Sequence, residues 1–133
     1  MKLYRSILLD QDEDINTGNI GNSWTLCEIF AENHAKDINR HLGKDGIVIL
    51  STEVSQYMID MGNTLFAMEN RDHEYEVVIN GNITCTVHAV EGIDFDQDQI
   101  ITGETGSNDF EDYTANYEGD LTAEDLYFLS LQF

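Results

Sequence analysis

The stretch NSWTLCEIFAENHAKDINRHLG, residues 22–43, decides how this chain is built. From Thr25 to Leu42, apolar or small side chains fall at 26, 27, 30, 31, 35, 38 and 42, the spacing of one helical face. Thr25 and Glu28 stand three apart, as in a capping box: the Thr hydroxyl takes an orphan amide of the first turn while Glu reaches back. Gly43 stops the helix as a left-handed residue, and Arg40 and His41 sit in the last turn, where the helix dipole favours cations. A helix with one apolar face must lie on another layer. Ser23 and Thr25 flank Trp24 at its start, and their hydroxyls read equally well as a helix cap and as part of a binding site.

The flanking segments supply the other layer. Residues 2–9, KLYRSILL, read as a strand, and residues 10–22 as a polar loop rich in Asp, Asn and Gly. Residues 46–54, GIVILSTEV, are a β-rich run with the look of a buried strand, and TLFAMEN, residues 64–70, is a short strand or strand-loop. Residues 74–90, EYEVVINGNITCTVHAV, read as a β-hairpin turning at Asn80-Gly81-Asn82, because two β-branched runs flank a strong turn signal. Residues 91–119 are acidic and polar, either an ordered surface loop or strands with acidic faces. Thr122 to Asp125 resemble a second helix cap before the apolar ending LYFLSLQF. The expected fold is a single α+β domain over residues 1–133: a mainly antiparallel sheet, one long helix packed on it, and an acidic C-terminal third.

Charge is the most unusual bulk property. The 133 residues carry 26 acids against 6 bases, a formal net of −20, and every Lys and Arg precedes residue 72. From Asp72 to Phe133 there are 15 acids and no Lys or Arg. A fold of this length has a radius of gyration of about 14 Å, so its charge per unit length approaches that of duplex DNA, one per ~1.7 Å. Direct binding to nucleic acid is therefore disfavoured, and a basic partner is favoured. No apolar run approaches membrane-span length and no leader-like segment opens the chain, which points to a soluble, cytoplasmic protein. Cys27 and Cys85 read as small buried hydrophobes. The alternations Asp10/Asp12/Asp14 and Asp94/Asp96/Asp98 mimic the start of calcium loops. The second lacks the required Gly and has Thr105 where an acid belongs, so no metal site is expected.

Three features stand at strategic places: Tyr4-Arg5 in the first strand, Ser23-Trp24-Thr25 before the helix, and Glu74-Tyr75-Glu76 at the head of a later strand. In this order they resemble the R-S-E signature of ADP-ribosyltransferases. LYRSI is similar to that family's Y-R opening. GNSWTLCEIFAENHA is similar to the G-x-S-W-T-helix pattern of its small phage and bacterial members, and LFAMENRDHEYEVVI to an apolar stretch followed by E-x-E. The resemblance covers about residues 3–79. It implies an ADP-ribosyltransferase-like fold and NAD as substrate, contacted by Tyr4, Arg5, Ser23, Trp24 and Thr25. Glu76 is then the carboxylate that stabilises an oxocarbenium-like transition state, Glu74 orients the acceptor, Ser23 steadies Glu76 or the ribose, and Arg5 grips phosphate or ribose oxygens. A ring stacked on nicotinamide is expected, with Tyr57 and Phe66 as candidates.

Two functional readings follow. The first is a mono-ADP-ribosyltransferase-like effector acting on a host protein. The second is an acidic nucleic-acid mimic that blocks the basic site of a defence complex, such as a restriction enzyme or CRISPR complex, through Asp94, Asp96, Asp98, Asp109, Glu111 and Asp112. A third possibility is an acidic structural or interaction protein without a site, a reading that gains if Arg5, Ser23 and Glu76 lie far apart.

Overall fold

A computed structural model describes residues 1–64 and 76–106. The chain runs β1 (Lys2–Leu9), β2 (Ser23–Thr25), α1 (Glu28–Leu42), β3 (Gly46–Glu53), a 3-10 turn (Gln56–Met58), β4 (Glu76–Val78), β5 (Asn82–Glu91) and β6 (Ile100–Glu104). The strands form one sheet in the order β4-β2-β1-β3-β5-β6, with every pairing antiparallel. Of the expected strand TLFAMEN only Thr64 is described, in a helical turn with residues 61–63; the rest of it, the proposed second cap and the apolar ending lie outside the described residues, as does most of the acidic last third.

β1 and β3 are the spine, in unbroken register from Lys2 opposite Glu53 to Leu9 opposite Gly46. β3 is buried from Gly46 to Thr52, which fits the apolar run from Ile47 to Leu50 on both of its faces, and the buried Thr52 hydroxyl donates to the Thr84 carbonyl. On one face α1 sets Ala35 against Ile47 and Ile49, with Tyr4, Leu8 and Ala89 packed around them. The other face carries the main core, including Leu3, Trp24, Val48, Leu50, Val77, Ile83, Cys85, Val87 and Ile101.

The sheet must curl around that core. Val78 ends β4 at one edge, and Asn82 begins β5 four strand positions away. In a flat sheet those positions are about 19 Å apart, whereas the three residues between them reach about 14 Å at full extension. Curling brings the ends together. Ile79 N–H donates to the Asn22 carbonyl (2.9 Å), and Thr105 N–H donates to the Gly81 carbonyl (2.9 Å), closing a seam between the ends of β2, β4 and β6.

This topology corrects the expected hairpin. Asn80-Gly81-Asn82 does turn the chain, but β4 pairs with β2 while β5 pairs with β3 and β6, so the turn hands the chain from one edge strand to the strand next to the other edge. Residues 91–119, expected as loop or strand, contain β6 within their described part.

The helix begins later than expected. Thr25 is drawn into the sheet, where it pairs with both Tyr4 and Glu76. Cys27 becomes the N-cap, its Sγ accepting from Phe30 N–H at 3.4 Å, and the Thr25 hydroxyl accepts instead from Cys27 N–H at 3.1 Å. Glu28, freed from the capping box, meets His88 of β5 (Oε1 to Nε2, 2.7 Å). Gly43 ends the helix with φ 66°, as its sequence position predicts, and its N–H donates to the Asn39 carbonyl. Sulfur is a weak acceptor, so Cys27→Ser should stabilise the fold by about 0.5–1 kcal/mol. Urea unfolding checks this through a higher midpoint at unchanged slope.

Cys85 is buried as expected, and burial pushes its thiol from an ordinary 9.0 up to about 11. The raised value means that the folded chain holds the proton longer than the unfolded one. The associated stability is intact below pH 9 and is lost as pH rises toward 11, up to about 2–3 kcal/mol. Unfolding measured from pH 8 to 11 should show this loss, and Cys85→Ala should remove it. At pH 8, Ellman's reagent should label the half-buried Cys27 and leave Cys85 unreacted until the chain unfolds.

Candidate functional site

The site lies where β1 and β2 part. These strands share a single register pair, Tyr4 opposite Thr25, so the backbones diverge beyond it. Arg5 reaches across this gap and donates through Nη1 to the Ser23 carbonyl at 2.7 Å. β2 and β4 pair with Ser23 opposite Val78 and Thr25 opposite Glu76, which puts Ser23, Thr25 and Glu76 on one face. The Ser23 hydroxyl donates to Glu76 Oε1 across the diagonal of that ladder. Three residues distant in the chain are thus linked in one line across three neighbouring strands.

The line borders a cleft of about 370 Å³, near the lower end of the ~300–1,000 Å³ usual for small-molecule sites. Tyr4, Arg5, Ser23, Thr25 and Glu76 edge it on the sheet side; Phe30, His34 and Ile38 edge it on the helix side. Glu76 is only 6 % exposed and Thr25 is equally buried, while Arg5 and Ser23 are half-buried. A guanidinium and a carboxylate shielded from water interact with ligand charges more strongly than the same groups on the surface would. This local field is separate from the acidic exterior.

The structure brings Tyr4, Arg5, Ser23, Trp24, Thr25 and Glu76 to one place. Trp24 alternates to the other side of β2: its indole is 2 % exposed, belongs to the main core, and donates through Nε1 to the Gly21 carbonyl at 2.9 Å. Trp24 nevertheless lines the cleft beside Ser23 and Thr25, while its indole supports its neighbours from the core. Glu74 and Phe66 lie outside the described residues. Tyr57 is 89 % exposed on the 3-10 turn and does not line the cleft, so it is not the expected stacking ring. Besides Trp24, the ring-bearing residues at the cleft are Tyr4, Phe30 and His34, the last two stacked at 5.4 Å and 18°. The helical-face count includes Phe30, and His34 follows it by one turn as a half-buried face residue. Their four-residue spacing was visible, but not that this stripe edges an opening.

No family model matches the chain, nor does any curated protein or solved structure. The functional reading therefore rests on geometry and on the sequence signature.

Asp94, Asp96 and Asp98 are exposed on the connection between β5 and β6, and none lines the cleft. Asp109, Glu111 and Asp112 lie outside the described residues. Among the described residues no group of three or more His, Cys, Asp or Glu side chains could hold a metal ion, and no helix is long and apolar enough to cross a membrane.

Proposed function

We propose that the cleft binds NAD and that the chain is a mono-ADP-ribosyltransferase-like effector, passing ADP-ribose to a basic host protein. The observation that carries this reading is the Arg5–Ser23–Glu76 line along one cleft. Breaking the nicotinamide–ribose bond builds positive charge on the ribose, as in glycoside cleavage. A carboxylate held at fixed position in a dry site stabilises that charge without having to reorganise. Glu76 is that carboxylate, and Ser23 fixes its orientation. Arg5 supplies a planar donor fork for phosphate or ribose oxygens. Thr25 supports the strand pairing beside them, and a flat ring entering the cleft meets Phe30 and Tyr4. Glu74, two residues before Glu76 in the sequence, orients the acceptor on this reading. The net charge of −20 opposes the approach of anionic NAD but favours a cationic acceptor.

Thermal unfolding in the presence of NAD tests the reading. A ligand at 100 times its dissociation constant adds about 2.7 kcal/mol, worth a rise of several degrees for a chain of this size. A rise with NAD is the expected outcome; millimolar NAD leaving the transition unmoved would remove the reading.

One observation favours a second reading, an acidic mimic that blocks the nucleic-acid site of a host defence protein: no Lys or Arg occurs after Arg71, and Asp94, Asp96 and Asp98 are exposed. Such a protein would bind a basic partner in competition with DNA or RNA, weaken steeply with salt, and ignore NAD. Converting all three to Asn should then lower that affinity; unchanged affinity would exclude this patch.

A further inference from the structure

Arg5 is half-buried, long and flexible, yet its role in the cleft requires a fixed guanidinium. What fixes it is partly visible in Gly21. This residue has φ 105°, and a Cβ built on it would overlap Cζ, Nε and Nη2 of Arg5 together. Overlap with all three atoms at once means that the plane of the guanidinium faces the side of Gly21 where another residue would carry its side chain. Only glycine leaves that space open, and only glycine adopts this φ without strain.

The glycine is itself held from both sides. Its N–H donates to the Thr105 carbonyl at 3.0 Å, and its carbonyl accepts the Trp24 indole N–H at 2.9 Å. Ile20 N–H donates to the Glu104 carbonyl at 2.8 Å, and the Asn22 carbonyl accepts from Ile79 N–H. Residues 20–22 are thus tied to the ends of β6 and β4, along the seam that closes the curled sheet.

We infer that Gly21 and Trp24 are positioning residues: Gly21 is the seat of the Arg5 guanidinium, and the Trp24 indole N–H locks that seat. The inference rests on the cleft's being the NAD site only for its functional consequence; the seat itself is a property of the folded chain. It gives the buried indole of the S-W-T motif a role that does not depend on ligand contact. Trp24 holds Gly21, Gly21 backs the guanidinium, and Arg5 meets the ligand.

Two measurements test it. In 15N-labelled protein the Arg5 Nε–H resonance, identified by its loss in Arg5→Lys, should be displaced from the exposed-arginine position and slow to exchange. Trp24→Phe keeps a ring in the core but removes the donor. It should move this resonance toward the exposed position while far-UV circular dichroism stays unchanged. Gly21→Ala should do the same more strongly; if that variant fails to fold, Trp24→Phe alone decides. An unaltered Arg5 signal in folded Trp24→Phe overturns the inference. For function, Trp24→Phe should weaken NAD binding about 5–10-fold in wild type and have no further effect in an Arg5→Gln background, because its influence passes through Arg5. Equal losses in both backgrounds overturn it too. Absence of NAD binding by wild type would sink the cleft reading, leaving the Arg5 resonance to decide the seat.

Discussion

Glu76→Gln is expected to lower ADP-ribose transfer by at least 10²-fold while fold and NAD affinity stay near wild type. The substitution keeps shape and size, and Gln retains an oxygen that accepts the Ser23 hydroxyl, so the ladder between β2 and β4 is preserved. What is lost is the negative charge. In the ground state of NAD the glycosidic carbon bears little charge, so the missing carboxylate is felt mainly in the transition state and kcat falls while KM changes little. Removing one group of this kind commonly costs 10²–10³ in rate. Labelled NAD incubated with basic acceptor proteins reads the effect. Transfer by the variant at the wild-type rate would remove Glu76 from the chemistry. A large rise in KM with kcat intact would make it a binding residue.

Trp24→Ala is expected to be the most damaging substitution for stability, at about 3–5 kcal/mol. The indole is almost wholly buried within the curl of the sheet, and its N–H secures the Gly21 carbonyl. Truncation leaves a cavity, an unsatisfied carbonyl and a loosened seam. Domains of this kind usually have only about 5–15 kcal/mol in total, so the loss should lower the melting temperature by well over ten degrees or leave the chain unfolded at 37 °C. Chemical denaturation supplies the number. A loss below ~1 kcal/mol would mean that Trp24 contributes little to the core.

Elements set by local chemistry were legible in the sequence. β1 spans the residues its apolar pattern predicts, and α1 ends at Gly43 because a left-handed cap is a local requirement. Non-local choices were hidden. Asn80-Gly81 signals a turn of the chain but says nothing about which strands it joins, and the hairpin reading failed on strand order. Thr25 has the chemistry of a cap, yet pairing with Tyr4 and Glu76 draws it into β2 and leaves the cap to a sulfur.

The candidate site was legible as an order of residues, since Arg5, Ser23 and Glu76 had been singled out together. Its second wall was not. Phe30 looks like a core residue in a helical-face count, with His34 half-buried one turn on, and the parting of β1 from β2 opens the cleft beside them. The support beneath Arg5 was equally hidden, because a glycine's meaning depends on what approaches it in space.

The most direct measurement is an NMR titration of 15N-labelled protein with NAD. The predicted result is a saturable set of shifts at residues 4–6, 23–25, 30–38 and 76–77, together with the Arg5 side chain. No shifts at millimolar NAD, or shifts gathered on residues 92–99 with the cleft silent, would contradict the assignment of the Arg5–Ser23–Glu76 cleft as a dinucleotide site.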